Sequence, residues 1–289
     1  MKSWIGSLSR LFWTKSMGVK RGELELLFEK KKKKNKTIAS HVYFHGALKV
    51  IRPQYDRNSG QIKYILVNLG GGYLQGDHYT IQLSLKDNAE VQLTTQAATK
   101  IYKSDKDGVF QQTEIHMKNS SMLEYIPNPI IPYKDSNYRQ IQHIEMDHSS
   151  SLFLSEILTS GYDPNDVKFS FKQVDLTTKV IYDNQLSVFD RLRFFKEDAL
   201  TSEALMGDFT HLGSIIAIYP SFHDSDLNDL RKWLPYNNEL ISGVTKLSIP
   251  GLMIRILGYR TQDIEQQIQS TLSFFRQKWQ QVKQHHQDF

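Results

Sequence analysis

The sequence predicts a mainly β protein: stacked antiparallel and mixed β-sheets forming a β-helix-like body, followed by a small C-terminal α+β part that carries two helices. Three observations lead there. Apolar and polar residues alternate with period two from Gly22 to about Phe195, turn-forming residues interrupt the alternation at short intervals, and after Gly207 two segments change to helical spacing. The 289 residues divide accordingly into an N-terminal extension (1–21) outside the folded part, a β-rich body (22–206) and a C-terminal portion (207–289) packed on it. No internal repeat is strong enough to define a solenoid.

The first strand sets Leu24, Leu26 and Phe28 against Glu23, Glu25 and Glu29. Further on, Tyr79, Ile81, Leu83 and Leu85 alternate with His78, Thr80, Gln82 and Ser84, and Val91, Leu93 and Thr95 with Glu90, Gln92 and Thr94. Each pattern describes a half-buried strand. Turn chemistry falls between such runs at Asn58-Ser59-Gly60, Asp87-Asn88, Asp105 to Gly108, Asn119 to Ser121, Asp147 to Ser151 and Asp183-Asn184. Beyond Gly207, Ile215 to Tyr219 reads as a buried strand. Leu227, Leu230, Trp233 and Leu234 then follow helical spacing, with Ser225 as the cap and Pro235 as the stop. Strands near Leu240 to Ile249 and Leu252 to Leu257 come next. A long final helix carries the stripe Ile264, Ile268, Leu272, Phe275, Trp279 and Val282 behind Thr261 as N-cap, with Asp263 and Glu265 in its first turn.

The net charge of +5 is unevenly placed. Residues 1–36 hold eleven Lys and Arg against Glu23, Glu25 and Glu29, a net +8, while the remaining 25 basic and 28 acidic residues give the body −3. Basicity therefore belongs to an N-terminal arm, and the body offers no nucleic-acid surface. Lys30 to Lys34 reads as a solvated turn, with a docking site for an acidic partner as the alternative. No apolar run approaches the roughly 18 residues of a membrane span. The first 20 residues lack a secretory h-region and cleavage site, so the expected location is cytoplasmic, with an amphipathic surface anchor as the other reading. The chain has no Cys, which excludes disulfides, thiolate metal sites and a cysteine nucleophile together.

Gly70-Gly71-Gly72 with Gly76 resembles a phosphate cradle, but a strand follows where a P-loop or dinucleotide fold needs a helix; a tight bend requiring positive φ explains it better. His41 and His45 are four apart in a β-like stretch without the helix and Glu of a zincin, and read as surface or interface residues; His285 and His286 fall in a terminal tail. Strand parity is more informative. It puts Asp190 on the side of Leu186, Val188, Leu192 and Phe194, Glu156 with Leu152, Leu154 and Leu158, and Asp77 with Tyr79, Ile81 and Leu83. Thr95 and Thr99 share the side of Val91, Leu93 and Ile101. A buried carboxylate is costly unless paired, hydrogen-bonded or solvated. Two readings stand. Each acid is a structural partner of a nearby cation such as Lys100, or a bulge has flipped its parity; alternatively, the three line a hydrophilic channel suited to passage of a divalent ion.

Val67-Asn-Leu-Gly-Gly-Gly-Tyr-Leu-Gln-Gly-Asp77, Leu93-Thr-Thr-Gln-Ala-Ala-Thr-Lys-Ile-Tyr102 and Leu123-Glu-Tyr-Ile-Pro-Asn-Pro129 closely resemble the UreD (UreH) family of urease accessory proteins. Gly22 to Leu26 matches the family's opening strand and Leu48 to Pro53 its next landmark. The resemblance implies a mostly β fold of stacked sheets with a pair of helices, and a non-enzymatic metallochaperone scaffold. Such a scaffold joins UreF and the GTPase UreG on apo-urease, where nickel is inserted. Nickel is its transient cargo, passed through an internal water-filled tunnel, and no cofactor is permanently bound. By matching motifs the tunnel positions fall on Asp77, Thr99, Glu156 and Asp190. Several family members carry Ser at the Thr99 position and Glu at the Asp190 position, which preserves the hydroxyl and the carboxylate. Two other functions fit the residues: a purely structural adaptor, and a β-rich hydrolase using Asp77, Glu156 or Asp190 as acid and base.

Overall fold

The computed structural model describes residues 20–31, 35–57, 59–198, 200 and 205–285. The N-terminal extension through residue 19, Lys32 to Lys34, Asn58 and His286 lie outside these residues, as do the side chains of Val282 and His285. In chain order the strands are β1 (Lys20–Lys31), β2 (Lys36–Gly46), β3 (Leu48–Val50), β4 (Gln54–Tyr55), β5 (Ile62–Asn68), β6 (His78–Leu85), β7 (Glu90–Thr95), β8 (Thr99–Ile101) and β9 (Val109–Met117). There follow β10 (Met122–Ile126), β11 (Ile130–Pro132), β12 (Asn137–Met146), β13 (Ser151–Thr159), β14 (Gln173–Tyr182), β15 (Gln185–Phe195) and β16 (His211–Ile218). Helix α1 (Asp224–Trp233), β17 (Leu240–Lys246), β18 (Gly251–Gly258) and helix α2 (Thr261–His285) complete the fold.

These strands form two facing sheets. One has seven strands in the order β15-β14-β12-β9-β6-β1-β2; the other follows β17-β18-β16-β13-β10-β7-β5-β3, with β4, β8 and β11 attached at its margins. Short turns between strands are usually read as hairpins. Here most carry the chain across to the opposite sheet, so successive strands within a sheet lie parallel: β6, β9, β12 and β14 in one, and β5, β7, β10 and β13 in the other. The body is a solenoid of stacked coils with antiparallel strands at its margins. Asp183-Asn184 is a tight hairpin turn joining β14 to β15, with φ of 47° and 63° as a two-residue primed turn requires.

Alternation buries one face of each strand between the sheets, where Leu24, Leu26, Phe28, Ile81, Leu83, Leu93, Leu123 and Leu154 form the main core. The central strand β13 is buried on both faces. Its Leu152, Leu154 and Leu158 face the opposing sheet, whereas Phe153 and Ile157 pack with Ile264, Ile268, Leu272 and Phe275 of α2 in a second core. Two ion pairs fix α2: Arg276 Nε donates to Glu124 Oε1 at 2.7 Å, and Lys278 Nζ lies 2.7 Å from Asp226. No described helix is long and apolar enough to cross a membrane.

Several local expectations change. The cap of α1 is His223, not Ser225, because Asp226 reaches back to accept the His223 N–H at 3.1 Å and the Tyr219 hydroxyl at 2.7 Å. Thr261 is the first helical residue of α2, one position inside its expected cap. Leu186 leaves the core side of β15 because the register shifts between Val180 and Ile181, so it is 57% exposed while Val188 is buried. Lys30 is not part of a solvated turn: its ammonium lies 2.8 Å from Glu90, and both side chains are only 10% exposed. Lys31 is exposed beside Glu29.

Candidate functional site

Polar residues interrupt the main core along two facing rows. Register places Thr113 of β9, Gln142 of β12, Thr178 of β14 and Asp190 of β15 side by side across the seven-stranded sheet. Opposite them, Glu156 of β13, Ser214 of β16 and Arg255 of β18 lie abreast. Residues directly across a ladder project to the same face, so both rows face into the space between the sheets. A second pair, Gln111 and Gln140, lies alongside the first row.

Hydrogen bonds tie the rows together. Tyr73 Oη donates to Gln111 Oε1 at 2.7 Å, Gln111 Nε2 to Gln140 Oε1 at 3.2 Å, and Gln140 Nε2 to Glu156 Oε1. Gln142 Nε2 is 3.3 Å from the same carboxylate oxygen. At the far end Arg255 donates to both Ser214 Oγ and Asp190 Oδ1. Thr113 Oγ1 and Gln142 Oε1 are buried without a hydrogen-bond partner.

A cavity of about 260 Å³ runs along this column. Its walls include Thr95, Thr99, Gln111, Gln140, Gln142 and Glu156, and it reaches the surface where exposed Gly71, Gln96 and Ala97 border it. The glycine loop shapes that mouth. Gly72 has φ 156°, and a Cβ there would stand 2.5 Å from the Tyr102 ring and 2.9 Å from the Lys100 carbonyl oxygen, so no side chain fits. On the other side of Glu156 lies a void of about 10 Å³, enough for about one water, bordered by Gln142, Thr178, Asp190 and Ser214.

The structure thus places Thr99 on the larger space, Asp190 on the smaller one, and Glu156 with Gln142 on both. Asp77 lies apart. Its carboxylate accepts the Leu74 N–H at 2.9 Å and the Tyr79 hydroxyl at 2.8 Å, with Arg21 Nε 3.8 Å away. Tyr79 stacks on Tyr73 at 3.9 Å, and this pair stands between Asp77 and the glutamines. Asp190 pairs with Arg255; Lys100, the cation singled out from the sequence, borders the cavity instead. Gln111, Gln140, Gln142, Thr178, Ser214 and Arg255 were not singled out by a search of strand parity for acids. The same parity places Gln140 and Gln142 with buried Tyr138, Ile144 and Met146 along β12.

Burial pushes the Glu156 carboxyl up to about 7; the hydrogen bond from Gln140 and the Arg255 charge act against that rise, and the Asp190 charge adds to it. Glu156 is half-buried and borders the cavity. Among the described residues no three His, Asp or Glu come close enough together to hold a metal ion. The oxygen-bearing side chains that border the two spaces include Thr99, Gln142, Glu156, Thr178 and Asp190, hard donors of the kind that suit small divalent cations.

The family model for UreD urease accessory proteins matches residues 20–288. The urease accessory protein UreD of Lachnoclostridium phytofermentans is 37% identical over 260 residues, covering 89% of this chain and 94% of that protein. Its namesakes in Staphylococcus epidermidis and Bacillus cereus are 36% and 34% identical over 245 and 235 residues, covering 83% and 81% of this chain and 87% and 86% of theirs. With a match of this extent over the same strands that build the polar column, the chain belongs to the UreD family of urease accessory proteins.

Proposed function

We propose that in urease maturation this chain is a non-enzymatic cytoplasmic scaffold that joins UreF and the GTPase UreG on apo-urease and conducts nickel through its interior. The carrying observation is the polar column in which Thr99, Glu156 and Asp190 border two spaces that have Glu156 and Gln142 as common walls. A divalent ion leaving water needs successive oxygen ligands, none so strong that it cannot depart. Glu156, Gln142, Thr178 and Asp190 supply such a succession. Asp77, outside the cavity, acts on this reading through Tyr79, which stacks on Tyr73 at the cavity border. The scaffold role is supported by edge strand β2, where Val42, Tyr43 and Phe44 are each 40–42% exposed and leave apolar surface for a partner.

The ion pairs of Asp190 with Arg255 and Asp77 with Arg21 favour a second reading, a structural adaptor whose acids only hold the fold. Glu156→Gln and Thr99→Val separate the two. On the conduit reading both variants co-purify with UreF and apo-urease, yet nickel content and activity of the urease fall, further in the double variant than in either single one. Normal assembly with wild-type nickel loading in the double variant leaves only the adaptor.

A further inference from the structure

The polar row on the eleven-stranded sheet ends in a cation belonging to the protein itself. Glu156, Ser214 and Arg255 lie abreast, and the guanidinium spans from Ser214 to Asp190 on the facing sheet. Asp190 sits on β15, the last strand of its sheet, and the Arg255 and Asp190 side chains are 29% and 18% exposed. The pair therefore stands where the interior path meets solvent. Immediately behind it is the small void, and behind that the Glu156 carboxyl and the large cavity. Gln142, only 3% exposed, borders both spaces, and its Oε1 is buried without a hydrogen-bond partner.

A guanidinium keeps its charge at every physiological pH. In this position it has two effects on a cation in the void. It repels the ion across a short, poorly hydrated distance, and it occupies the carboxylate that would be the ion's last interior ligand. Its partial exposure on a flexible stem leaves it a route outward into water. We propose that Arg255 is the gate at the Asp190 end of the path, closed while its guanidinium holds Asp190 and open to a small divalent cation once that guanidinium turns outward. The inference rests on the conduit reading, and Arg255 acts in it as a positioning residue that decides whether Asp190 is free to receive the ion.

The test uses the full chain with Ile, Leu and Val methyl labels and Mn²⁺ as a paramagnetic probe that prefers oxygen ligands. Ile81 and Ile130 border the large cavity; Leu154 and Ile216 border the void. In wild type, Mn²⁺ should broaden Ile81 and Ile130 at lower concentrations than Leu154 and Ile216, because broadening falls steeply with distance from the ion. In Arg255→Gln, broadening at Leu154 and Ile216 should appear at a concentration roughly tenfold lower than in wild type, since one repelling charge is gone and Asp190 is released. Arg255→Lys, which keeps the charge, should stay near wild type. Ser214→Ala, which removes one anchor of the guanidinium, should fall between and serves as the test if Arg255→Gln does not fold. Unchanged broadening at Leu154 and Ile216 in folded Arg255→Gln, with Ile81 and Ile130 broadened throughout, overturns the gate and leaves the conduit. Broadening at neither set in any variant, in protein that still supports urease activation, overturns the conduit and the gate with it.

Discussion

Replacing Glu156 by Gln should stabilise the protein, and do so increasingly as pH rises. The carboxyl is enclosed between β12 and β13, and burial lifts it from an ordinary 4.5 to about 7. Between those values the folded chain holds a proton that the unfolded chain has released. The group's contribution is therefore fully present below pH 4.5, is lost progressively as pH rises through about 7, and is constant beyond. At about 1.4 kcal/mol per pH unit over that interval, the ionised carboxylate costs the fold about 3 kcal/mol at high pH. The substituted amide retains an oxygen that accepts from the Gln140 and Gln142 side-chain amides. Urea unfolding of both proteins across pH is the assay, and the advantage of Glu156→Gln should grow by about 2–3 kcal/mol between pH 5 and pH 8. An advantage that does not change with pH, or a variant less stable than wild type at pH 8, refutes the reasoning. It would mean that the carboxylate is paired or hydrated well enough to ionise normally. A variant that is more stable yet poorer at nickel delivery would mark Glu156 as a residue kept for function at a cost in stability.

Two further expectations concern the charges that hold the fold. Arg276→Met strips the guanidinium from Glu124, which is fully buried and would keep only the Gln92 amide at 3.0 Å; unfolding stability should drop by about 2–3 kcal/mol, and adding Glu124→Gln should restore part of it. A loss below about 0.5 kcal/mol would show that α2 does not depend on this pair. Lys30→Gln should destabilise by about 1–3 kcal/mol through its enclosed contact with Glu90, whereas Lys31→Gln, at an exposed site, should stay within about 0.5 kcal/mol of wild type; equal effects of the two in chemical unfolding would contradict the burial difference between them.

What could be read from the sequence was whatever depends on neighbours in the chain. The face on which a strand residue projects is set by period two, so alternation identified the β body and put Glu156 and Asp190 on the inner side. Positive φ at Gly71, Gly72 and Gly76 follows from the same local logic, and the motifs around them carried the family resemblance. Parity failed at Leu186 because a bulge depends on how β14 and β15 pair, which neither strand encodes alone. The parallel coils were equally hidden, since a short turn does not state whether the next strand pairs with its predecessor or crosses to the facing sheet. Above all, only tertiary structure set Glu156 beside Ser214 and Arg255, and brought Arg255, 65 residues away in sequence, onto Asp190. Which side chains become neighbours is decided by strand order and register, and these are fixed by packing between segments far apart in the chain.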